Sequence, residues 1–361
     1  MSTLMHANRQ WATRPDDERF VSLVDMDNHF RHLRSISKAA VVSTRAISLV
    51  PDADNKGLQI VGSAGVGYAP THQAFGQLAT LAGAPAGYLR TLPSPLAADA
   101  LNYGLRFNRQ AEDVGLLLTR NGDSVLRAAT GPNYGRIWNQ EVTTALVNAF
   151  GDGVSGDGFR VPGEFGKRVT VTKDNTTLFA GDRDMFVFLA DENNRIEMAN
   201  RRDGKAGSLA RGFFVWNSEV GSTTFGIASF LFDYVCCNRI VWGAQEFKQV
   251  TIRHTRSAPD KWIEEMKPAL LSYTNSSTQS VTRAIEDARS KRISGDSLDD
   301  FLANRYSAKM ATAVKAAFDA DEGRPIETMW DVVTGVTAYA RGIVNQDQRV
   351  ALERDAGKLM A

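Results

Sequence analysis

Apolar and polar positions change rhythm along the chain, and the changes predict its elements. The lead-in before Arg45 mixes charge and aromatics without a clear period and reads as irregular or partly helical. RAISLV at 45–50 and LQIV at 58–61 then flank the turn-rich DADNKG, a strand, loop and strand. Thr71 caps a helix whose Phe75, Leu78 and Leu81 share one face; Gly83 closes it and Pro85 opens the next turn. A further helix runs from Leu96 to Phe107. VGLLLTR and SVLRAAT, joined by Asn121-Gly122-Asp123, give the clearest hairpin signal in the chain. Asn139 starts a helix through Val142, Leu146 and Phe150. The run GDGVSGDG at 151–158 is too rich in glycine for a packed element and marks a boundary or a loop.

Beyond that run, β-type segments recur at 168–171, 185–189, 195–198, 212–216, 225–235 and 247–254, the spacing of an antiparallel sheet or sandwich. From Pro259 the period turns helical, with stripes at Ile263, Met266 and Leu270, at Val281, Ile285 and Ala288, at Met310, Val314 and Ala317, and at Met329, Val332, Val333 and Val336. The expected fold is α+β: an antiparallel sheet or sandwich core with a helical C-terminal third. Three regions follow, 1–150, 151–258 and 259–361, which one integrated domain can also contain. No internal repeat appears.

With 361 residues, 43% of them hydrophobic, the chain can bury a substantial core. A formal charge of +1 gives no global attraction to nucleic acid or membrane, so any charged partner must be held by a local patch. The two cysteines, Cys236 and Cys237, are adjacent, and vicinal pairs rarely bridge; a reducing cytoplasm fits. No apolar run reaches the roughly 20 residues of a membrane helix, and the opening MSTLMHANRQW has no signal-peptide core. The expectation is a cytoplasmic globular protein without a membrane partner.

Several constellations invite chemistry. Gly62-Ser-Ala-Gly65-Val-Gly67 looks like a phosphate cradle but lacks both G-x-x-x-x-G-K-[ST] and G-x-G-x-x-G spacing. The five histidines, His6, His29, His32, His72 and His254, show no metal-ligand spacing, so neither metal nor cofactor is expected. Cys236 sits in FLFDYVCCN among large apolar residues and reads as packing, although Arg239 or His254 would lower its pKa if brought near. In RGFFVWNSEVG, alternation sends Phe214, Trp216 and Ser218 to one face and Phe213, Val215, Asn217 and Glu219 to the other. Asn217 and Glu219 there either orient a water or bind a divalent ion, or else form a strand-end turn with Gly221, the favoured reading. Basic residues interleave with these aromatics, the composition of a single-strand groove, although acidic neighbours such as Glu197, Asp203 and Glu246 would cancel them locally.

FGQLATLAGAPAGYLRTLPSPLAADALN, VLRAATGPNYGRIWNQEV, NSEVGSTTFGIASFLFDYVCCNRIVWG with IRHT, and ETMWDVVTGVTAYAR with DQRVALERDAGKL together resemble the phage/plasmid-like protein family, domain of unknown function 932. The resemblance runs from about Thr71 to the end. Many relatives read Cys-Thr-Asn-Gly where this chain has Cys236-Cys237-Asn238-Arg239. The family supplies no catalytic residue. Its occurrence in phages, prophages and conjugative elements, beside recombination and single-strand-binding functions, implies a bacterial host cell and DNA handling.

The leading expectation is therefore a non-enzymatic DNA-handling protein, a single-strand binder or recombination accessory, acting with single-stranded DNA and replication or recombination proteins. Its candidate contacts are Arg127, Tyr134, Arg136, Arg211, Trp216, Arg239, Arg253, His254 and Arg256. The rival is an enzyme or small-molecule binder with Asn217, Glu219, Cys236 and His254 around one pocket, Glu219 serving as base. A third reading is an inhibitor of a host defence factor that acts by protein contact through an exposed apolar patch.

Overall fold

A computed structural model of the protein describes residues 14–61, 66–107, 113–162, 170–198, 207–233, 239–240, 250–343, 352–353 and 355–360. In chain order the strands begin with β1 (Arg19–Phe20), β2 (Ser37–Ser43), β3 (Ser48–Pro51), β4 (Leu58–Val61), β5 (Gly67–Pro70), β6 (Asp113–Asn121) and β7 (Asp123–Thr130). They continue with β8 (Phe159–Arg160), β9 (Leu178–Ala180), β10 (Met185–Asp191), β11 (Ile196–Met198), β12 (Gly207–Asn217), β13 (Phe225–Asp233), β14 (Arg239–Ile240) and β15 (Val250–Ile252). The helices of the first half are α1 (Leu23–Ser35), α2 (His72–Leu81), α3 (Ala86–Leu89), α4 (Ser94–Phe107) and α5 (Asn139–Phe150).

The fold is α+β, with two sheets. The larger is antiparallel, in the order β1-β9-β10-β12-β13-β14, with β8, β11 and β15 attached to β10, β12 and β13. The smaller runs β2-β6-β7-β5-β4-β3 and is mixed, because β5 pairs with β7 in parallel. Its β6–β7 hairpin turns at Gly122, as the Asn-Gly pair predicts. Thr71 caps α2 by accepting from the Ala74 amide. The lead-in carries more order than its sequence suggested. Ser22 caps α1, whose Leu23, Met26, Asp27 and Phe30 are buried at helical spacing. The strand expected at 168–171 lies partly outside the described residues, and its described part, 170–171, is irregular. Most of the glycine-rich segment 62–67 also lies outside them.

One cluster joins α1 and α5 to the larger sheet, with Phe20, Leu146, Phe159, Val187, Phe213, Val215 and Trp262 among its members. Within the glycine run at 151–158, the Asp152 carbonyl accepts from the Leu23 amide and the Gly153 carbonyl from the Val161 amide, which ties the run to both sides of that cluster. The opposite face of the sheet carries a second buried cluster with Phe186, Phe188, Phe214, Trp216 and Phe230. The smaller sheet packs against α2, α3 and α4.

The C-terminal part is helical: α6 (Ala258–Lys261), a π-turn at Trp262–Met266, α7 (Lys267–Asn275), α8 (Gln279–Ser290), α9 (Asp296–Arg305), α10 (Ala308–Glu322) and α11 (Met329–Arg341). The π-turn leads into Pro268, which has no amide to return to the preceding turn. It also shifts the expected stripe: Trp262, Met266 and Leu270 are buried, whereas Ile263 is exposed. Helix α11 is buried along nearly its whole length and forms the axis of this part. Thr328 and Asp331 close its start with a capping box. No helix among the described residues is long and apolar enough to cross a membrane.

Candidate functional site

Burial alternates along the segment Tyr134 to Trp138 that leads into Asn139, the first residue of α5. Gly135, Ile137 and Asn139 are buried, whereas Tyr134, Arg136 and Trp138 are half-buried. The Arg136 guanidinium lies 5.3 Å from the Tyr134 ring centre and 5.6 Å from that of Trp138. Arg34, exposed near the end of α1, also covers the Trp138 ring, at 3.6 Å. At the far end Tyr134 stacks on His254, with ring centres 4.8 Å apart and planes inclined by 24°. Cation and ring alternate through Arg34, Trp138, Arg136 and Tyr134, and the imidazole closes the ladder. Arg253 and Arg256, which flank His254 in sequence, are exposed.

Behind the ladder lies the turn that follows β12. Glu219 is buried: one carboxylate oxygen accepts from the Asn139 amide at 2.8 Å, and the other lies 2.9 Å from Arg127. Its carbonyl accepts from Arg136, and the Ser218 carbonyl accepts from the Tyr134 hydroxyl at 2.7 Å. Asn217 donates to the Ile137 carbonyl at 2.8 Å and to the Asn139 side chain at 2.7 Å. Gln77 of α2 donates to the Val220 carbonyl at 2.6 Å and accepts from the Ala129 amide at 2.8 Å. Beside Tyr134 opens a cleft of about 440 Å³ whose lining includes Gln73, Thr80, Thr130 and Gly221.

Gly135 and His254 hold each other. The Gly135 amide donates to the His254 carbonyl at 3.1 Å, and His254 Nδ1 donates back to the Gly135 carbonyl at 3.0 Å. That bond places the neutral ring's proton on Nδ1, while Nε2 is buried without a hydrogen-bond partner among the described residues. Burial lowers the His254 pKa to about 4, with the Arg136 charge pushing the same way and the Gly135 bond opposing. Burial also lowers the Arg136 pKa and raises that of the Tyr134 hydroxyl. Because the folded pKa of His254 lies below the ordinary value of 6.5, the unfolded chain binds more protons between pH 6.5 and 4. This group's contribution to stability is therefore complete above pH 6.5 and is lost as the pH falls through 4. Urea denaturation at stepped pH should show His254 contributing a slope of up to about 1.4 kcal/mol per pH unit in that window. His254→Asn should flatten the slope, and an unchanged slope would mean that the imidazole titrates normally.

The predicted contacts divide accordingly. Tyr134, Arg136 and His254 come together, and Arg253 and Arg256, close to His254 in sequence, are exposed. Three others are withdrawn from the surface. Arg127 is buried against Glu219, and Trp216 is only 3% exposed within the second aromatic cluster. Arg211 is buried 3.2 Å from Asp191, donates to Ser276 at 3.0 Å and lies against the rings of Phe159 and Tyr273. Arg239 begins β14, but its side chain lies outside the described residues, as do Cys236 and Cys237. Of the rival pocket, Asn217 and Glu219 are committed to the turn and to α5 rather than to a cavity, and His254 to Gly135. Among the described residues, no three His, Cys, Asp or Glu side chains form a metal-binding group.

Arg34 and Trp138 were missed in the sequence. Tyr-x-Arg-x-Trp at 134–138 carries a period of two that could have revealed Trp138. Nothing local could have revealed Arg34, which arrives from α1.

The family model described as Domain of unknown function (DUF932) matches residues 166–354. The match includes the Glu219 turn and His254 but not the Tyr134–Trp138 segment. No curated protein and no solved structure matches the chain.

Proposed function

The chain belongs to the family Domain of unknown function (DUF932), and from that premise we propose that it binds single-stranded DNA without acting on it chemically, as an accessory to replication or recombination. The observation that carries the reading is the ladder of Arg34, Trp138, Arg136, Tyr134 and His254. Single strands are held where cations track the phosphates and flat rings meet the bases. Arg34 lies over the half-buried Trp138 ring, and Arg253 and Arg256, both exposed, flank His254 in sequence. Arginine suits the first task because its planar fork donates two parallel hydrogen bonds to a phosphate. The cleft beside Tyr134 offers amides and hydroxyls to the edges of a base.

The patch is local, in keeping with a net charge of +1, and it limits the electrostatic share of binding. If each of the three exposed arginines neutralises one phosphate, log affinity falls with log salt at a slope of about −2 for a single strand. Affinity should then drop about 20-fold between roughly 50 and 200 mM salt. Fluorescence anisotropy with labelled single- and double-stranded oligonucleotides measures both the slope and the preference. The triple variant Arg34→Ala, Arg253→Ala, Arg256→Ala should bind weakly and lose the slope. Absence of binding at low salt, or a triple variant that binds like the parent, would end the proposal.

A further inference from the structure

Helix α4 carries apolar residues on both its inner and its outer face. The inner face presents Ala97, Ala98, Leu101 and Leu105, all buried in the core of the smaller sheet. Asn102 locks the helix to β3, donating to the Leu49 carbonyl and accepting from the Leu49 amide, each at 2.8 Å. Gly104 fixes the approach to the end of α2, since a Cβ there would sit 2.1 Å from the Ala82 carbonyl oxygen. The outer face carries Leu96, Tyr103 and Phe107, which remain 56%, 69% and 66% exposed, and the Tyr103 and Phe107 rings lie 4.8 Å apart. A patch of large exposed apolar side chains on one face of a helix ordinarily marks a contact surface.

The charges on the outer face identify what covers it. Asp99 and Arg106 are both exposed and seven residues apart, so they lie on one side about 10 Å from each other along the axis. When two copies of this helix pack antiparallel about a two-fold axis near Tyr103, Asp99 of each copy meets Arg106 of the other. A parallel arrangement would set like charges side by side. We infer that the protein forms a symmetric homodimer through α4, with Tyr103 at its centre, a Phe107 ring to either side and the two Asp99–Arg106 pairs setting its direction. The contact is isologous, because one surface serves both copies. Aromatic anchors surrounded by charge are the usual anatomy of such a patch. A single helix pair makes a small interface, so the dimer should dissociate in the micromolar range.

Sedimentation equilibrium of the full chain, from roughly 1 to 100 micromolar, tests this directly. The mass should rise from 39.5 kDa toward twice that value. Phe107→Glu should hold the protein at the single-chain mass. Asp99→Arg should weaken association at least tenfold, and combining it with Arg106→Asp should restore the parental constant to within a few-fold. Circular dichroism of each variant verifies that the fold is retained, as expected for exposed positions. A single-chain mass throughout would overturn the inference. So would association that survives Phe107→Glu, or a charge swap that fails to restore it; either would place another partner or another surface at the contact.

Discussion

Replacing Glu219 by alanine is expected to remove about 3–5 kcal/mol of folding stability, the cost of leaving a buried charge without its partner. The loss has two sources. Arg127 keeps its charge in a position almost closed to water, and the Asn139 amide, at the first turn of α5, loses its acceptor. In thermal unfolding of a 361-residue chain the change corresponds to a fall in Tm of roughly 4–7 °C. Glu219→Gln should cost less, because an amide oxygen still accepts from Asn139. Replacing both partners with apolar residues of similar size, Arg127→Met with Glu219→Leu, should recover much of the loss, since the desolvation of both charges disappears together. A catalytic Glu219 predicts the opposite pattern: unchanged stability and lost activity. An alanine variant as stable as the parent would make Glu219 a reactive group again.

That contrast shows where sequence reasoning stopped. Alternation along β12 was legible, and it divides the strand as expected, with Phe213 and Val215 on one side and Phe214 and Trp216 on the other. It could not tell which side is wet. Both sides are covered, as befits a strand near the middle of a sheet, so Trp216 became core and Arg211 became an internal fastener. A run of arginine and aromatic residues is equally consistent with a groove and with a buried cation among rings. Only the position of acidic partners decides between them. Asp191 and Glu219 meet Arg211 and Arg127 from other strands and turns, at separations in sequence that no local pattern encodes.

The elements themselves were more legible than the site. The hairpin at Gly122 and the cap at Thr71 rest on interactions within a few residues, which local chemistry specifies. Helix α1 was legible in principle, since Leu23, Met26, Asp27 and Phe30 follow the helical period, but the charges between them masked it. The ladder is a tertiary object. Its segments come from α1, from the stretch before α5 and from the stretch after β15, and proximity among them is a property of the assembled fold.

Gly135→Ala provides the sharpest test of whether that assembly matters for binding. A Cβ at this position would lie 1.9 Å from the Thr255 carbonyl oxygen and 3.1 Å from the Pro259 side chain, so the two segments must separate. The nearer obstruction is main chain, which cannot rotate aside as the end of a side chain can. Separation breaks the reciprocal hydrogen bonds of Gly135 and His254 and pulls the imidazole from Tyr134. Overpacking of this kind costs about 1–3 kcal/mol, with the damage concentrated at the ladder. Losing one base-stacking contact at about 1–3 kcal/mol weakens single-strand binding by roughly 5- to 150-fold. Gly131→Ala is the matched control, because a Cβ there meets nothing within 4 Å. Anisotropy titrations and denaturation curves on both variants separate the possibilities. If Gly135→Ala is destabilised yet binds DNA like the parent, the stack is a structural fastening and the strand lies elsewhere. If binding falls while Gly131→Ala remains unaffected, the closed register between Gly135 and His254 is what presents the rings to the strand.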